Sequence, residues 1–383
     1  MPGLGASFGR GAATNYQQDL ANSDCVLIMG SNMAEAHPVG FRWPLRARER
    51  GAKLVHVDPR FTRTSALCDV HVQIRAGTDI AFLGGLIHHV LLHERWFKEY
   101  VLAYTNAATL VQDGFQDTED LDGLFSGYRP DEQRYDTKAG HWGYEQPQDS
   151  QSASQTPERP SVKTASEGAG SESKQAGEAR GMHGPSTMGG ASHHGAVRAQ
   201  ATQAPAGEPP TDPTLQHPRC VLNVLRRHFS RYTPERVAAI CGCTPEQLVR
   251  VAELLCENSG RERTSAIVYA VGWTQHTTGV QMIRAASILQ LLLGNIGRPG
   301  GGIMAMRGHA SIQGSTDIST LYDLLPGYLA QPAVDPGHES LDRYVEHEGL
   351  PTGYWARFRS FIVSLLKAWY GDAATAQNDF CFD

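Results

Sequence analysis

Four short, apolar-rich runs constrain the fold of this chain more than anything else in it. They are CVLIMG (Cys25 to Gly30), KLVHVDP (Lys53 to Pro59), VHVQI (Val70 to Ile74) and SAIVYAVG (Ser265 to Gly272). Each has strand length and closes on a turn or a polar loop. Helical patterns lie between them. Pro38 to Arg50 spaces polar residues around Val39, Trp43 and Leu45, and Gly51 supplies the stop. Thr78 to His93 is amphipathic, with Asp79 near its start, and Thr278 to Gly294 is long and apolar. Val221 to Arg231 also reads as helix, and Thr233 and Thr244 each cap a helix that opens on proline. Buried strands alternating with helices predict an α/β protein with a doubly wound, mostly parallel sheet.

In such sheets ligands bind beyond the carboxyl ends of the strands. Three strand ends here carry suitable loops. The first is Gly30, Ser31, Asn32, which lacks the G-x-G-x-x-G of a plain nicotinamide site. The second is Asp58, Pro59, Arg60. Its acid can accept from a ribose hydroxyl, or the Asp-Pro pair can simply form a turn. The third is Gly272, Trp273, Thr274, Gln275, His276, which also reads as a plain strand-to-helix turn. A further segment, LLLGNIGRPGGGIMAMRGHASIQGSTD (Leu291 to Asp317), passes from an apolar helix end through a glycine run. It then delivers Arg307, Gly308 and His309. Glycines let backbone approach a bulky ligand or merely turn the chain. An arginine just beyond can hold an oxyanion with a planar fork.

Composition sets limits. A net charge of −6 gives no broad basic field for nucleic acid. No apolar run is long enough to span a bilayer. The seven cysteines form no C-x2-C pair for zinc or an iron–sulfur cluster, and they read as mostly buried small residues. The start, MPGLGASFGRG, lacks the parts of an export signal. Gln146 to Asp212 is rich in Ser, Gly, Ala, Gln and Pro, so it is expected to be a disordered surface insertion. The expected division is residues 1–145 and 213–309 for one α/β domain, 146–212 for the insertion, and 310–383 for the start of a second α/β domain.

Four strings together resemble one family: FGRGAATN (Phe8 to Asn15), MGSNMAEAHPVGFRW (Met29 to Trp43) with VDPRFTRTS (Val57 to Ser65), YAVGWTQHTTG (Tyr269 to Gly279) and the Leu291 to Asp317 segment. Their order and wording are similar to the large subunits of molybdenum or tungsten bis-pterin oxidoreductases, respiratory formate dehydrogenases in particular. The resemblance covers nearly the whole chain except the middle. It implies a molybdopterin guanine dinucleotide (bis-MGD) cofactor held by the three loops and by Arg10, Gly308 and Gln313. Gly77, Thr78 and Asp79 make a fourth contact, the carboxylate taking guanine N–H donors, although Asp79 also reads as an ordinary helix-start charge. In the family an HP pair such as His37 and Pro38 lies near the cofactor, while a lone histidine is more often structural.

By the same resemblance Arg307 orients formate and His309 shapes the pocket. Formate is oxidised to CO2, with two electrons passing to iron–sulfur clusters. The family's metal ligand, a cysteine or selenocysteine followed by histidine, lies just before the FGRGAATN string, so no metal ligand is expected in this chain. The [4Fe–4S] domain is expected outside it too, and the isolated chain is expected to be inactive. The parent would sit in the periplasm, exported by a twin-arginine signal. Its partners would be an iron–sulfur β subunit and a membrane cytochrome b γ subunit. Two other readings stay open: a bis-MGD reductase of another oxyanion, and a non-catalytic scaffold fragment.

Overall fold

The computed structural model describes residues 2–8, 13–124, 126–135, 143–145, 209–308, 324–326, 329–334, 337–349 and 357–382. Most of the expected insertion lies outside them, as do Arg10, His309 and Gln313.

A five-stranded parallel sheet organises the chain. Its strands are β1 (Cys25–Met29), β2 (Lys53–Val57), β3 (Val70–Val72), β4 (Ser265–Tyr269) and β5 (Gly302–Ala305), in spatial order β3-β2-β1-β4-β5. The register is regular, with Val26 beside Leu54 on one side and beside Ala266 on the other. Each of the four long-expected strands starts where its apolar run starts. The fifth was not read from sequence. Its residues, GIMA, follow directly on a glycine run, which masks a strand signal of only four residues.

Side chains alternate between the two faces of a strand, and both faces are covered. Leu27, Met29, Val55, Val57, Ile267, Tyr269 and Ile303 join one apolar cluster. Val26, Ile28, Leu54, Ala266, Val268 and Met304 join another. The α-helices among the described residues are α1 (Pro2–Phe8), α2 (Met33–Ala36), α3 (Pro38–Glu49), α4 (Arg63–Ala66), α5 (Asp79–Leu92), α6 (Lys98–Tyr104), α7 (Val221–Phe229), α8 (Pro234–Cys241), α9 (Pro245–Glu257), α10 (Val271–Thr274), α11 (Gly279–Leu292), α12 (Leu341–Glu348) and α13 (Phe358–Tyr370). Residues of α1, α5, α9 and α11 fill the first cluster, while Met33 of α2 and Phe41 of α3 fill the second. This is the two-faced coverage that a parallel sheet requires. Each fully buried Leu or Ile contributes about 1.5–3 kcal/mol to it. Thr233 and Thr244 cap α8 and α9 as expected, each accepting from a backbone N–H inside its helix. Cys25, Cys220, Cys241, Cys243 and Cys256 are buried free thiols, and Cys68 and Cys381 are partly buried.

Asn295 of the LLLGN string and Gln290 just before it prove structural. Gln290 donates to the carbonyls of Ser265 at 3.0 Å and Gly302 at 2.8 Å, bridging the starts of β4 and β5. Asn295 accepts from the Ser265 N–H at 3.1 Å and donates to Gln290 at 2.6 Å. The glycine run also serves the chain itself. A Cβ on Gly300 would sit 2.4 Å from the Asn22 backbone, and one on Gly301 would sit 2.2 Å from the Asn295 carbonyl oxygen. The close approach that these glycines permit is therefore backbone to backbone.

Residues 324–382 contribute a two-residue antiparallel ladder, α12 and α13 among those described. They share a small core of Leu329, Leu341, Tyr344, Phe358, Ile362 and Leu366.

Candidate functional site

The order β3-β2-β1-β4-β5 reverses direction between β1 and β4. The chain leaves β1 toward β2 and leaves β4 toward β5, so their carboxyl ends open a crevice. Gly30 follows β1 at φ +67°, a region that costs a side chain about 1–2 kcal/mol. Its carbonyl accepts from the N–H groups of Ala270 and Gly272, both at 3.1 Å. A Cβ on Gly272 would fall 2.5 Å from the Gly30 carbonyl oxygen. The two loops are thus locked backbone to backbone, and glycine is required on both sides.

Trp273 lies fully buried beneath this lock and stacks on Tyr269 with ring centroids 5.1 Å apart. Its indole N–H donates to Asp79 Oδ1 at 3.0 Å. Asp79, the first residue of α5, is only 5 % exposed. Burial raises its pKa, and the bond from Trp273 and the charge of His276 work against that rise. Asp79 is therefore no solvated helix-start charge. It is a buried carboxylate aimed by an indole from the neighbouring loop.

A second network links β1 to β2. His56 is fully buried, a position in mid-strand that sequence reasoning passed over. Its Nδ1 is 2.8 Å from Ser65 Oγ, its Nε2 is 3.3 Å from the Ser31 carbonyl oxygen and 3.8 Å from Asp58 Oδ2. Ser65 Oγ also accepts from the Thr62 N–H at 2.9 Å, and because Nε2 faces a carbonyl oxygen the Ser65 proton goes to a bare Nδ1. The ring is then neutral, with Nε2–H donating to Ser31. Burial pushes the His56 pKa down to about 4 against the opposing pull of Asp58. Asp58 Oδ1 caps the Arg60 N–H at 2.9 Å, and the Pro59 carbonyl accepts from Gln73 at 3.0 Å. The turn reading holds there, and Arg60 beyond it is exposed. Asn32 accepts from Thr64 Oγ at 2.8 Å and donates to Glu35 at 2.5 Å.

Arg307 lies two residues beyond β5. Its carbonyl oxygen is 2.6 Å from His37 Nε2, which thereby ties the start of α3 to the arginine's backbone. The positive charge of Arg307 reaches Tyr269, whose pKa burial raises to about 12. Gly308 is exposed. Gly77, at φ +83°, and Thr78, whose hydroxyl donates to the Arg75 carbonyl at 2.7 Å, hold the entry to α5. Thr274 and Gln275 are exposed at the mouth of the third loop. The structure so brings the four expected loops to one edge of the sheet.

Polar atoms without a partner among the described residues mark the same region. Ser31 Oγ and His37 Nδ1 are buried with no hydrogen-bond partner among the described residues. Left so, each costs about 1–3 kcal/mol. A ligand rich in neutral and anionic hydrogen-bonders would complete them.

Fold and crevice together define a doubly wound α/β protein with a ligand-sized opening at its switch point. The family model for molybdopterin oxidoreductase matches residues 4–352, and the chain belongs to that family. It is 41 % identical to the alpha subunit of formate dehydrogenase 2 (cytochrome c-553) of Nitratidesulfovibrio vulgaris, over 99 % of this chain and 32 % of that protein. It is 39 % identical to the formate dehydrogenase-O major subunit of Escherichia coli K12, over 99 % and 32 %. It is 38 % identical to the formate dehydrogenase alpha subunit of Megalodesulfovibrio gigas, over 97 % and 31 %. The chain thus spans about a third of the length of these relatives. Family membership implies a molybdopterin cofactor with molybdenum or tungsten. The orphaned Ser31 and His37 atoms and the buried Asp79 carboxylate suit such a group.

Proposed function

We propose that this chain forms the guanine-dinucleotide-binding part of a formate dehydrogenase large subunit. The cofactor, a bis-MGD carrying molybdenum or tungsten, supplies the two-electron redox chemistry. The protein binds and orients. Loops at Gly30–Asn32, Asp58–Arg60, Gly77–Asp79 and Gly272–Gln275 would hold guanosine and pyrophosphate. Ser31 and Thr274 offer neutral hydrogen-bonders, and Asp79 would accept from guanine N–H groups. Arg10 and Gln313 join this set on the family resemblance. The electrons would pass on to iron–sulfur clusters, a β subunit and a membrane cytochrome b subunit of a periplasmic assembly. That last step has family resemblance as its support. No helix among the described residues is long and apolar enough to cross a membrane.

One observation carries the substrate reading. The His37 bond to the Arg307 carbonyl anchors an arginine at the edge of the crevice, with its charge felt by buried Tyr269. A guanidinium fork there can hold the two oxygens of formate and aim its C–H bond. The reaction is HCOO⁻ to CO2, a proton and two electrons. His309 would line the same pocket.

The test is Arg307→Lys in the holoenzyme. Lysine keeps the charge and loses the fork. Formate-dependent dye reduction should fall on the order of 10²-fold or more, while metal and pterin content stay at wild-type levels. Wild-type turnover in this variant would remove Arg307 from the active site.

A further inference from the structure

Away from the crevice, the carboxyl end of α12 carries His347 and Glu348, and the turn before α12 brings His338 against them. His338 Nε2 lies 3.1 Å from His347 Nδ1 and 3.3 Å from Glu348 Oε1. His347 Nδ1 lies 3.0 Å from the same Glu348 oxygen. Three potential donor atoms therefore form a nearly equilateral triangle. We propose that this triangle is a site for a divalent first-row cation, zinc fitting best, and that the ion staples the His338 turn to the end of α12.

With Glu348 as a carboxylate and His338 Nδ1 accepting from Ala333, protons alone leave the triangle frustrated. With His338 protonated on Nε2 and His347 bare at Nδ1, the His347 lone pair faces the Glu348 carboxylate. With both nitrogens protonated, the two N–H groups face each other. One side of the triangle is repulsive in either case. A cation at the centre removes the conflict, because three lone pairs then point at one charge.

The dimensions agree with that occupant. Zinc–nitrogen bonds of about 2.0–2.1 Å and zinc–oxygen bonds of about 2.0–2.2 Å give tetrahedral edges of about 3.3 Å. The three sides here are 3.0, 3.1 and 3.3 Å. Two imidazoles and a carboxylate are a donor set that zinc takes readily.

The surroundings are built for it. Glu348 is 9 % exposed and ends a helix, where the macrodipole already disfavours an anion. A cation offsets both penalties. The His338 side chain is buried and meets Tyr344 edge-on at 5.0 Å, which fixes its ring. Gly337, at φ +110°, lets the turn come so close that a Cβ would sit 3.1 Å from the His347 ring. His347 is 45 % exposed at its side chain, which leaves a fourth position open to solvent. One contact must yield. The Ala333 N–H donates to His338 Nδ1 at 3.0 Å, and metal on Nε2 moves the ring proton to Nδ1. Ala333 is exposed, so its amide can turn to water. A core as small as that around Tyr344 gains from such a staple.

The full chain should be stripped with chelator, equilibrated with zinc, desalted and analysed for metal by mass spectrometry. One zinc per chain is expected, with a Tm that chelator lowers. Cobalt should give the intense visible bands of a tetrahedral ion. His347→Ala, a change at an exposed ring that should leave folding intact, should weaken zinc binding at least about 100-fold and abolish the zinc effect on Tm. Glu348→Gln should do the same. Zinc absent from the wild type would overturn the proposal. So would zinc held equally by His347→Ala, for instance through His183, His193 and His194.

Discussion

Replacing Trp273 by phenylalanine tests the joint between two loops of the crevice. The indole N–H bond to Asp79 is lost, and a buried carboxylate keeps its burial without its donor. A hydrogen bond to a charged group is worth about 1.5–3 kcal/mol. The smaller ring under Gly30 adds a packing loss of about 1 kcal/mol that does not depend on pH. The first term does depend on pH. Burial has already raised the Asp79 pKa, so ionising it in the fold opposes stability as pH rises above the unfolded value. Removing the donor raises that pKa further. The deficit of Trp273→Phe should therefore be about 1 kcal/mol where Asp79 is protonated, and grow to about 3 kcal/mol where it is ionised. Urea unfolding at a series of pH values measures this directly. A double-mutant cycle with Asp79→Ala should show a coupling of about 1–2 kcal/mol at neutral pH. A deficit that is the same at every pH, or a coupling near zero, would refute the reasoning.

Gly272→Ala should cost about 3 kcal/mol, because its Cβ meets the Gly30 backbone and no side chain can give way. Gly51→Ala, at φ +100° with open space around it, should cost only about 1–2 kcal/mol, and chemical denaturation of the two variants separates contact from strain. His56 predicts an acid limb. Its folded pKa of about 4 lies below the unfolded value of about 6.5, so stability is whole above that value and declines as pH falls toward 4, by about 3 kcal/mol in total. Denaturant midpoints between pH 7 and pH 4 should show this limb in the wild type, and His56→Gln should lack its share of it.

Strand positions were legible because burial on two faces demands runs of apolar residues, and four such runs stand clear of their neighbours. β5 was not, since Gly302 both ends a glycine run and begins the strand. The loops of the crevice were legible as places and less so as roles. Asp79 and Trp273 are 194 residues apart, and nothing in either segment announces that the indole serves the carboxylate. The same distance problem hides the His37 bond to Arg307 across 270 residues. His56 was lost because a histidine inside an apolar strand reads as an exposed alternate, whereas here Ser31 and Ser65 satisfy it. The glycine run offered two meanings, and only the positions of Asn22 and Asn295 decide for backbone packing. His338 and His347 carried no signal, because their meeting depends on the turn at Gly337.

The central claim is that the crevice between β1 and β4 holds a guanine dinucleotide through Asp79. Acid hydrolysis of the holoenzyme, with GMP counted per metal ion, tests it most directly. The account predicts GMP in stoichiometric ratio to the metal for the wild type, and a marked loss of both in Asp79→Ala, with the secondary structure unchanged by circular dichroism. Full GMP and metal in Asp79→Ala, or a wild-type cofactor that releases no GMP, would contradict it.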